Sequence, residues 1–374
     1  MNRAIKYRIY PNNEQIEKIV KTFGCCRKIW NLMLSDKIAY YKTTGESLMI
    51  TPAMYKETYT FLREVDSLAL ANVQLNLQSS YKAFLDKKRK KRNGFPKFKS
   101  RKHAKKSYTT NNQKGSVAII DGRYIKLPKL GKIKAVIHRK PDSNWIIKSA
   151  TVSQESDKIF YISILFEFDK TITPVSKPGK VIGLDYKSDG LYMDSNGNIG
   201  SNHKYYRQAH KKLAKEQRKL SNKVGSNKNE KKSNNYLKQL QKVNKIHRHV
   251  ANQRLDNLHK LSTEIANQYD TVCVENLNMQ SLANKGFKNG KATMDNGYRM
   301  FLNMLEYKLA ERGKYFIKID KWYPSSQICS CCGRQKKLTL AERVYKCECG
   351  LSINRDINAA INIKNEGLRI LKVS

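Results

Sequence analysis

The sequence predicts a multidomain protein of mixed class, α+β in its first part and α/β in its second, on three observations. Between residues 11 and about 92, apolar residues recur at helical spacing. From 116 to 168 they alternate with polar residues at a period of two. From 181 onward, short apolar strands are interleaved with long helices. A chain of 374 residues, 40% of them hydrophobic, is long enough for two or three domains with at least one sizeable core.

Residues 4–10 form the first expected strand, with Ile5, Tyr7 and Ile9 alternating against Lys6 and Arg8, and Pro11 ends it. Asn12 or Asn13 can cap a helix whose stripe is Ile16, Ile19, Val20, Phe23, Trp30 and Leu34. Pro52 opens another helical stretch. A longer helix starts near Asp66 or Ser67, with Leu70, Val73, Leu77, Tyr81 and Phe84 on one side. Residues 86–106 are dense in Lys and Arg. Such runs are commonly solvated faces, but Phe95, Pro96, Phe98 and Tyr108 are interleaved here, which suits base stacking along a phosphate backbone. Segments 117–120, 123–127, 132–138, 145–152 and 158–168 read as strands of an antiparallel sheet, with a hairpin signal at Asp121-Gly122. Residues 171–179, with two prolines, read as a linker.

Beyond it, VIGLD (181–185) is a short apolar strand and GLYMD (190–194) follows, with a turn at Asn196-Gly197. Residues 204–220 and 236–267 are expected as two long basic helices joined by a polar loop. TVCVE (271–275) is another buried strand. A helix over roughly 295–312, a strand at 314–320 and a helix near 355–365 complete the α/β part.

The charge narrows the function. The chain carries 73 Lys+Arg against 31 Asp+Glu, formally +42. Such a charge repels itself in a compact fold, and a polyanion, above all nucleic acid, relieves the repulsion. The sequence contains neither a basic amphipathic anchor nor an uncharged run long enough to span a bilayer, so no membrane partner is expected. The first residues, MNRAIKYRIYP, lack the apolar core of a signal peptide, and the expected location is cytoplasmic. There the 8 cysteines stay reduced, and clustered ones point to metal rather than disulfides.

Asp185 and Glu275 each stand where an apolar strand ends, and the carboxyl edges of strands are where open α/β sheets place their sites. Asp356 lies in the first turn of a helix, where the dipole favours an anion, and Ala359 and Ala360 would let that helix approach the sheet closely. Singly, each reads as a solvated or capping acid. Together they offer three hard oxygen ligands suited to Mg²⁺ or Mn²⁺, and two such ions about 3.5–4 Å apart can cleave a phosphodiester without a covalent intermediate. No GxxxxGK[ST] loop is present, so ATP hydrolysis has no support.

Cys329 and Cys332 form a CxxC pair, and Cys347 and Cys349 a CxC pair, at zinc-ribbon distance. Gly333 and Gly350 follow the pairs, where a tight knuckle needs freedom in φ. These four are the expected Zn²⁺ ligands, with Cys331 as a possible substitute. Four thiolates leave no open position for water, so the zinc is structural. Cys25, Cys26 and Cys273 sit in apolar patterns and are expected in the core.

The motifs KYRIYPNNEQ, FGCCRKIWN, GLDYKSDGLYMDSNG, KYYRQAHKKLAKEQRKLS, ENLNMQSL, KIDKWYPSSQICSCCG and KCECGLSINRDINAAINI together resemble the TnpB family, encoded by bacterial insertion sequences and related to type V CRISPR effectors. The resemblance runs over nearly the whole chain. It implies a ribonuclease H-like (RuvC) nuclease domain over 179–374 with a zinc ribbon at 321–352 inserted in it. It further implies a β-rich wedge domain from 1–10 and 105–178, with a helical recognition domain, 11–104, inserted in that. Asp185, Glu275 and Asp356 fall on the family's catalytic positions, and Arg343 on an arginine near the active site. The implied partners are a guide RNA transcribed from the element's end and a target double-stranded DNA beside a short adjacent motif, so the site of action would be the bacterial nucleoid. This division of labour, in which pairing reads sequence and protein supplies a basic channel, is physically coherent.

Two residues depart from the family pattern: Asn354, where many relatives have Asp, and Lys187, where many have glycine. Lys187 is two residues beyond Asp185 and shares its face if the strand continues. The alternatives are an RNA-guided binding protein that does not cut, a transposase that joins DNA ends, and a zinc-ribbon RNA-binding protein. The last leaves the three acids without a purpose.

Overall fold

The computed structural model describes residues 1–86, 93–155, 159–176, 179–224, 232–282, 295–339 and 341–373, and its chain divides into two compact units, Met1–Lys170 and Thr171–Ser374. Residues 87–92 of the basic run, and most of the polar loop expected between the two basic helices, lie outside the described residues.

The first unit is built on strand β1 (Asn2–Tyr10), whose alternate residues Ile5, Tyr7 and Ile9 are buried. Further strands are β2 (Ser107–Asn111), β3 (Ala118–Ile120), β4 (Tyr124–Leu127), β5 (Gly131–Val136), β6 (Ile146–Glu155) and β7 (Ile159–Glu167). They form an antiparallel sheet in the order β2-β6-β7-β1-β5-β4-β3, so the first strand of the chain lies between two strands from beyond the helices. Helix α1 (Asn13–Thr44) starts at a capping box between Asn12 and Gln15. It ends at Gly45, whose φ of 73° is the left-handed cap conformation that favours glycine. Helix α2 (Ser67–Leu85), capped by Asp66, packs beside it.

Two expectations change here, and the basic run gains detail. The stretch opened by Pro52 is two 3₁₀ turns, Pro52–Tyr55 and Thr60–Arg63, rather than a continuing helix. Residues 107–111 are an edge strand, and Tyr108 on it is buried, so it is not free to stack on bases. The basic run beyond Asn93 is not merely solvated. The Trp30 indole donates to the Lys97 carbonyl at 3.0 Å, Asn31 exchanges two hydrogen bonds with the Lys99 backbone, and the Lys99 ammonium lies 3.5 Å from the Trp30 ring centre. Phe95 packs edge-on against Tyr81 and Phe84, while Phe98 stays exposed.

The second unit holds a four-stranded sheet in the order β11-β10-β8-β9, from β8 (Val181–Tyr186), β9 (Tyr192–Asp194), β10 (Thr271–Glu275) and β11 (Tyr315–Ile319). β8, β10 and β11 run parallel, and β9 returns antiparallel. The segment read as a linker joins this unit, since Val175 bonds through its backbone to Gly313 and to the Tyr315 hydroxyl. Helices α3 (Tyr205–Ser221) and α4 (Asn234–Gln268) pair lengthwise. After the short α5 (Met279–Leu282), helix α6 (Tyr298–Ala310) packs against α4, and Leu258, Ile265, Phe301, Leu305 and Leu309 form a core with β8 and β10.

Helix α7 (Arg355–Val373) packs on the same strands, and small residues permit the close approach. A Cβ on Gly183 would fall 2.1 Å from the Ala360 carbonyl oxygen, and one on Gly367 would fall 2.2 Å from the Cys273 sulfur. Ala359 and Ala360 are both buried, Ala360 at this contact and Ala359 facing the carboxylate cavity. The hairpin β12 (Val344–Lys346) and β13 (Ser352–Asn354) carries the second cysteine pair and leads into α7. Among the described residues no helix is long and apolar enough to cross a membrane.

Candidate functional site

The parallel register sets Leu184 opposite Val274, so the next residues, Asp185 and Glu275, leave the carboxyl edges of β8 and β10 side by side. Asp356 enters from the first turn of α7. Asn354 caps that helix, its Oδ1 accepting from the Asp356 N–H at 2.9 Å, a task Asn performs as well as Asp. Asp185, Glu275, Asp356 and Arg343 all line one open cavity of about 900 Å³, together with Lys187, Asp189, Ser325, Asn354 and Arg355.

Burial pushes the Asp185 carboxyl well above the usual carboxylate range, and the charges of Glu275 and Asp356 push it further. Burial also raises Glu275, against the Ser325 hydroxyl, which donates to its Oε1 at 2.6 Å. A site that forces its acids towards protonation holds more negative charge than its surroundings relieve, and a bound cation reverses that balance. The donor set, hard oxygens on rigid elements, fits a divalent ion of the Mg²⁺ class.

Asp356 already has cationic neighbours. Lys187 Nζ lies 2.7 Å from its Oδ2, and Arg355 Nε lies 3.9 Å from its Oδ1. Among the described residues only the four cysteines bring ligand atoms all within 4.8 Å of one another, so the three carboxylates share a cavity without closing to that spacing.

The cysteine cluster is Cys329, Cys332, Cys347 and Cys349, with Sγ–Sγ distances of 3.6 Å for Cys329–Cys349 and for Cys332–Cys347. A tetrahedral ion with bonds of about 2.3 Å sets its sulfurs about 3.8 Å apart, so the residues fit one. Cys331 is exposed and outside the cluster. Gly333 and Gly350 take φ of 77° and 92°, and each donates its N–H back to the first cysteine carbonyl of its knuckle.

Sequence reasoning assigned no role to the residues that tie this cluster to the carboxylates. Asn358 and Asn362, both buried on α7, donate to the Ile328 carbonyl at 2.7 and 2.6 Å. Asn362 also donates to the Ser325 carbonyl, and Asn358 accepts from the Ser330 N–H. The helix that carries Asp356 thus grips both the first knuckle and the serine that holds Glu275. The available signal was the pair of asparagines at helical spacing beside Ala359 and Ile363, polar residues on a face otherwise built to pack.

Comparison with known proteins bears on the whole chain. Residues 152–286 match a family model described as "Probable transposase" (OrfB_IS605), residues 298–363 one described as "Cas12f1-like, TNB domain", and residues 1–46 one described as "Helix-turn-helix domain". The last segment is a strand followed by one continuous helix in this structure. A Streptomyces pristinaespiralis protein named "Putative RNA-guided DNA endonuclease" is 33% identical over 98% of this chain and 90% of its own length. The Escherichia coli protein "Putative RNA-guided DNA endonuclease InsQ" is 29% identical over 99% and 93%. The fold is that of a chain solved by cryo-electron microscopy in a complex of Cas12f1, sgRNA and target DNA, with a TM-score of 0.59 over 98% of this chain and 99% of that one, at 15% identity. A third of all residues shared along nearly the full length of a curated relative, together with the family-model matches, establishes that the chain belongs to the TnpB (OrfB_IS605) family.

Proposed function

We propose that the protein is an RNA-guided DNA endonuclease of an insertion sequence, hydrolysing phosphodiester bonds of target DNA at the Asp185–Glu275–Asp356 cavity. One observation carries the reading: three acids from β8, β10 and α7, far apart in sequence, line a single cavity together with Arg343. The naming of full-length relatives as RNA-guided DNA endonucleases supports the same reaction.

Mg²⁺ or Mn²⁺ held by the three carboxylates would supply water activation and charge neutralisation at the leaving 3′-oxygen. Asp185 and Glu275, fixed on adjacent strand ends, keep two donors at constant separation, which limits the reorganisation needed on binding. Ser325 orients Glu275, and its hydrogen bond opposes the upward push of burial on that carboxyl. Arg343, at the cavity wall, is suited to a non-bridging phosphate oxygen, since a guanidinium donates in a planar fork. Zn²⁺ at the four cysteines would hold the ribbon (321–352) in its place inside the nuclease domain (179–374). The guide RNA, transcribed from the element's end, would select the double-stranded DNA by pairing. The wedge domain (1–10 and 105–178) and helical recognition domain (11–104) would hold the duplex and read the adjacent motif. The +42 charge supports that division, since one chain must grip two polyanions at the bacterial nucleoid.

The test uses protein purified with its co-purifying RNA, incubated in Mg²⁺ with DNA matching that RNA. Cleavage that is abolished by Asp185→Ala, with RNA binding kept, is the expected result. Target binding without cutting in either Mg²⁺ or Mn²⁺ would identify a silent binder, and joined DNA ends would identify a transposase.

A further inference from the structure

We propose that Lys187 is the resident cation of the carboxylate site, and that it sets the divalent-ion concentration at which the site fills. The inference rests on the reading of Asp185, Glu275 and Asp356 as metal ligands. It concerns a residue outside that trio.

Lys187 follows the end of β8, two residues beyond Asp185. Its stem passes close to Gly190, where a built Cβ would meet Lys187 Cδ at 3.5 Å. Its ammonium lies 2.7 Å from Asp356 Oδ2 and 3.7 Å from Asp189 Oδ1. Both members of the Lys187–Asp356 pair are mostly shielded, with side chains 20% and 19% exposed, whereas Asp189 is 71% exposed. The hydrogen bond to Asp356 holds the Lys187 charge in place, against burial and, to a lesser degree, the nearby Arg343.

Asp356 therefore spends one carboxylate oxygen on a monovalent cation. A divalent ion shared with Asp185 and Glu275 draws on the same carboxylate, and a lysine left beside it would repel the ion. The ammonium must move, and the geometry supplies a second seat. Asp189 is within reach of the same side chain at the cavity wall, closer to solvent. Lysine suits such an exchange, being a compact charge on a flexible stem rather than a planar fork. The failure of the three carboxylates to close to a common 4.8 Å spacing accords with an Asp356 engaged elsewhere.

The experiment is a Mn²⁺ titration of the full-length, zinc-loaded chain free of RNA, followed by electron paramagnetic resonance and calorimetry. Lys187→Met keeps the stem and removes the charge, and it should bind Mn²⁺ at least tenfold more tightly than the parent. Lys187→Arg keeps the charge and should stay within about threefold of the parent, which a purely steric role would not predict. Asp189→Ala removes the second seat and should weaken Mn²⁺ binding several-fold. Equal Mn²⁺ affinity in the parent and Lys187→Met would overturn the proposal while leaving the metal site intact. If neither binds Mn²⁺, or if Asp185→Ala binds it as the parent does, the carboxylate reading fails and the lysine proposal with it.

Discussion

Asp185 is held where its own ionisation is opposed, by burial first and by two neighbouring acids second. This has a thermodynamic signature. A carboxyl whose folded pKa is raised binds its proton more tightly in the folded state, so its stabilising contribution is complete below the unfolded value near 4. That contribution is lost as pH rises through the folded value. Glu275 shifts in the same direction and adds to the effect. Without divalent ion, the second unit should therefore lose stability as pH climbs from about 4 towards neutrality. Asp185→Asn removes the largest share of the strain. At pH 7.5 without Mg²⁺ it should melt higher than the parent by about 2–4 °C, the equivalent of roughly 1 kcal/mol for a unit of this size. The gap should narrow at pH 4 and vanish or invert when the parent is saturated with Mg²⁺, because ligand binding stabilises only the competent chain. Cleavage by Asp185→Asn should fall below detection. Thermal melts across pH, with zinc retained, check the prediction, and a variant less stable than the parent at every pH would refute it.

Between elements, the close seating of α7 on β8 matters most, because it delivers Asp356. Gly183 has no room for a side chain, since any Cβ would overlap the Ala360 carbonyl and the Lys364 backbone. Gly183→Ala should cost about 3 kcal/mol through overpacking against backbone that cannot rotate away. It should lift α7 from the sheet, so that Mg²⁺-dependent cleavage falls at least a hundredfold while RNA retention changes little. Melting curves and a nuclease assay on the same preparation check both parts. The close approach was half legible in sequence. Ala359 and Ala360 pointed to it, and the apolar run before Asp185 and before Glu275 identified strand ends. The clamp by Ser325, Asn358 and Asn362 was not legible, because a buried asparagine and a solvated one look alike until the packed face is known. Strand β2 was missed for a related reason. Its residues, Ser-Tyr-Thr-Thr-Asn, are mostly polar, and only pairing with β6 makes them a strand. Cys329, Cys332, Cys347 and Cys349 needed no such context, since two close cysteine pairs announce themselves by spacing alone.

For the molecule as a whole, charge is the dominant property, and it makes affinity depend steeply on salt. A formal +42 on 374 residues implies that nucleic-acid binding is driven largely by counterion release. If the chain neutralises about 6–10 phosphates, affinity for DNA of unrelated sequence should fall by about 10³–10⁵ between 50 and 200 mM salt. The described part of the basic segment is pinned to α1 at Trp30 and Asn31, which leaves Arg101 and Lys102 exposed on an anchored backbone rather than on a loose tail. Charges held that way should each count in the slope. The double substitution Arg101→Gln, Lys102→Gln should reduce the magnitude of the slope of log K against log[salt] by about 2, one for each phosphate that is no longer neutralised, with little change in melting temperature. It should weaken matched and unmatched DNA equally, since the phosphate backbone carries no sequence information. Filter binding at four salt concentrations measures the slope. An unchanged slope would mean that these cations face solvent in the complex, and that the polyanion is gripped elsewhere on the chain.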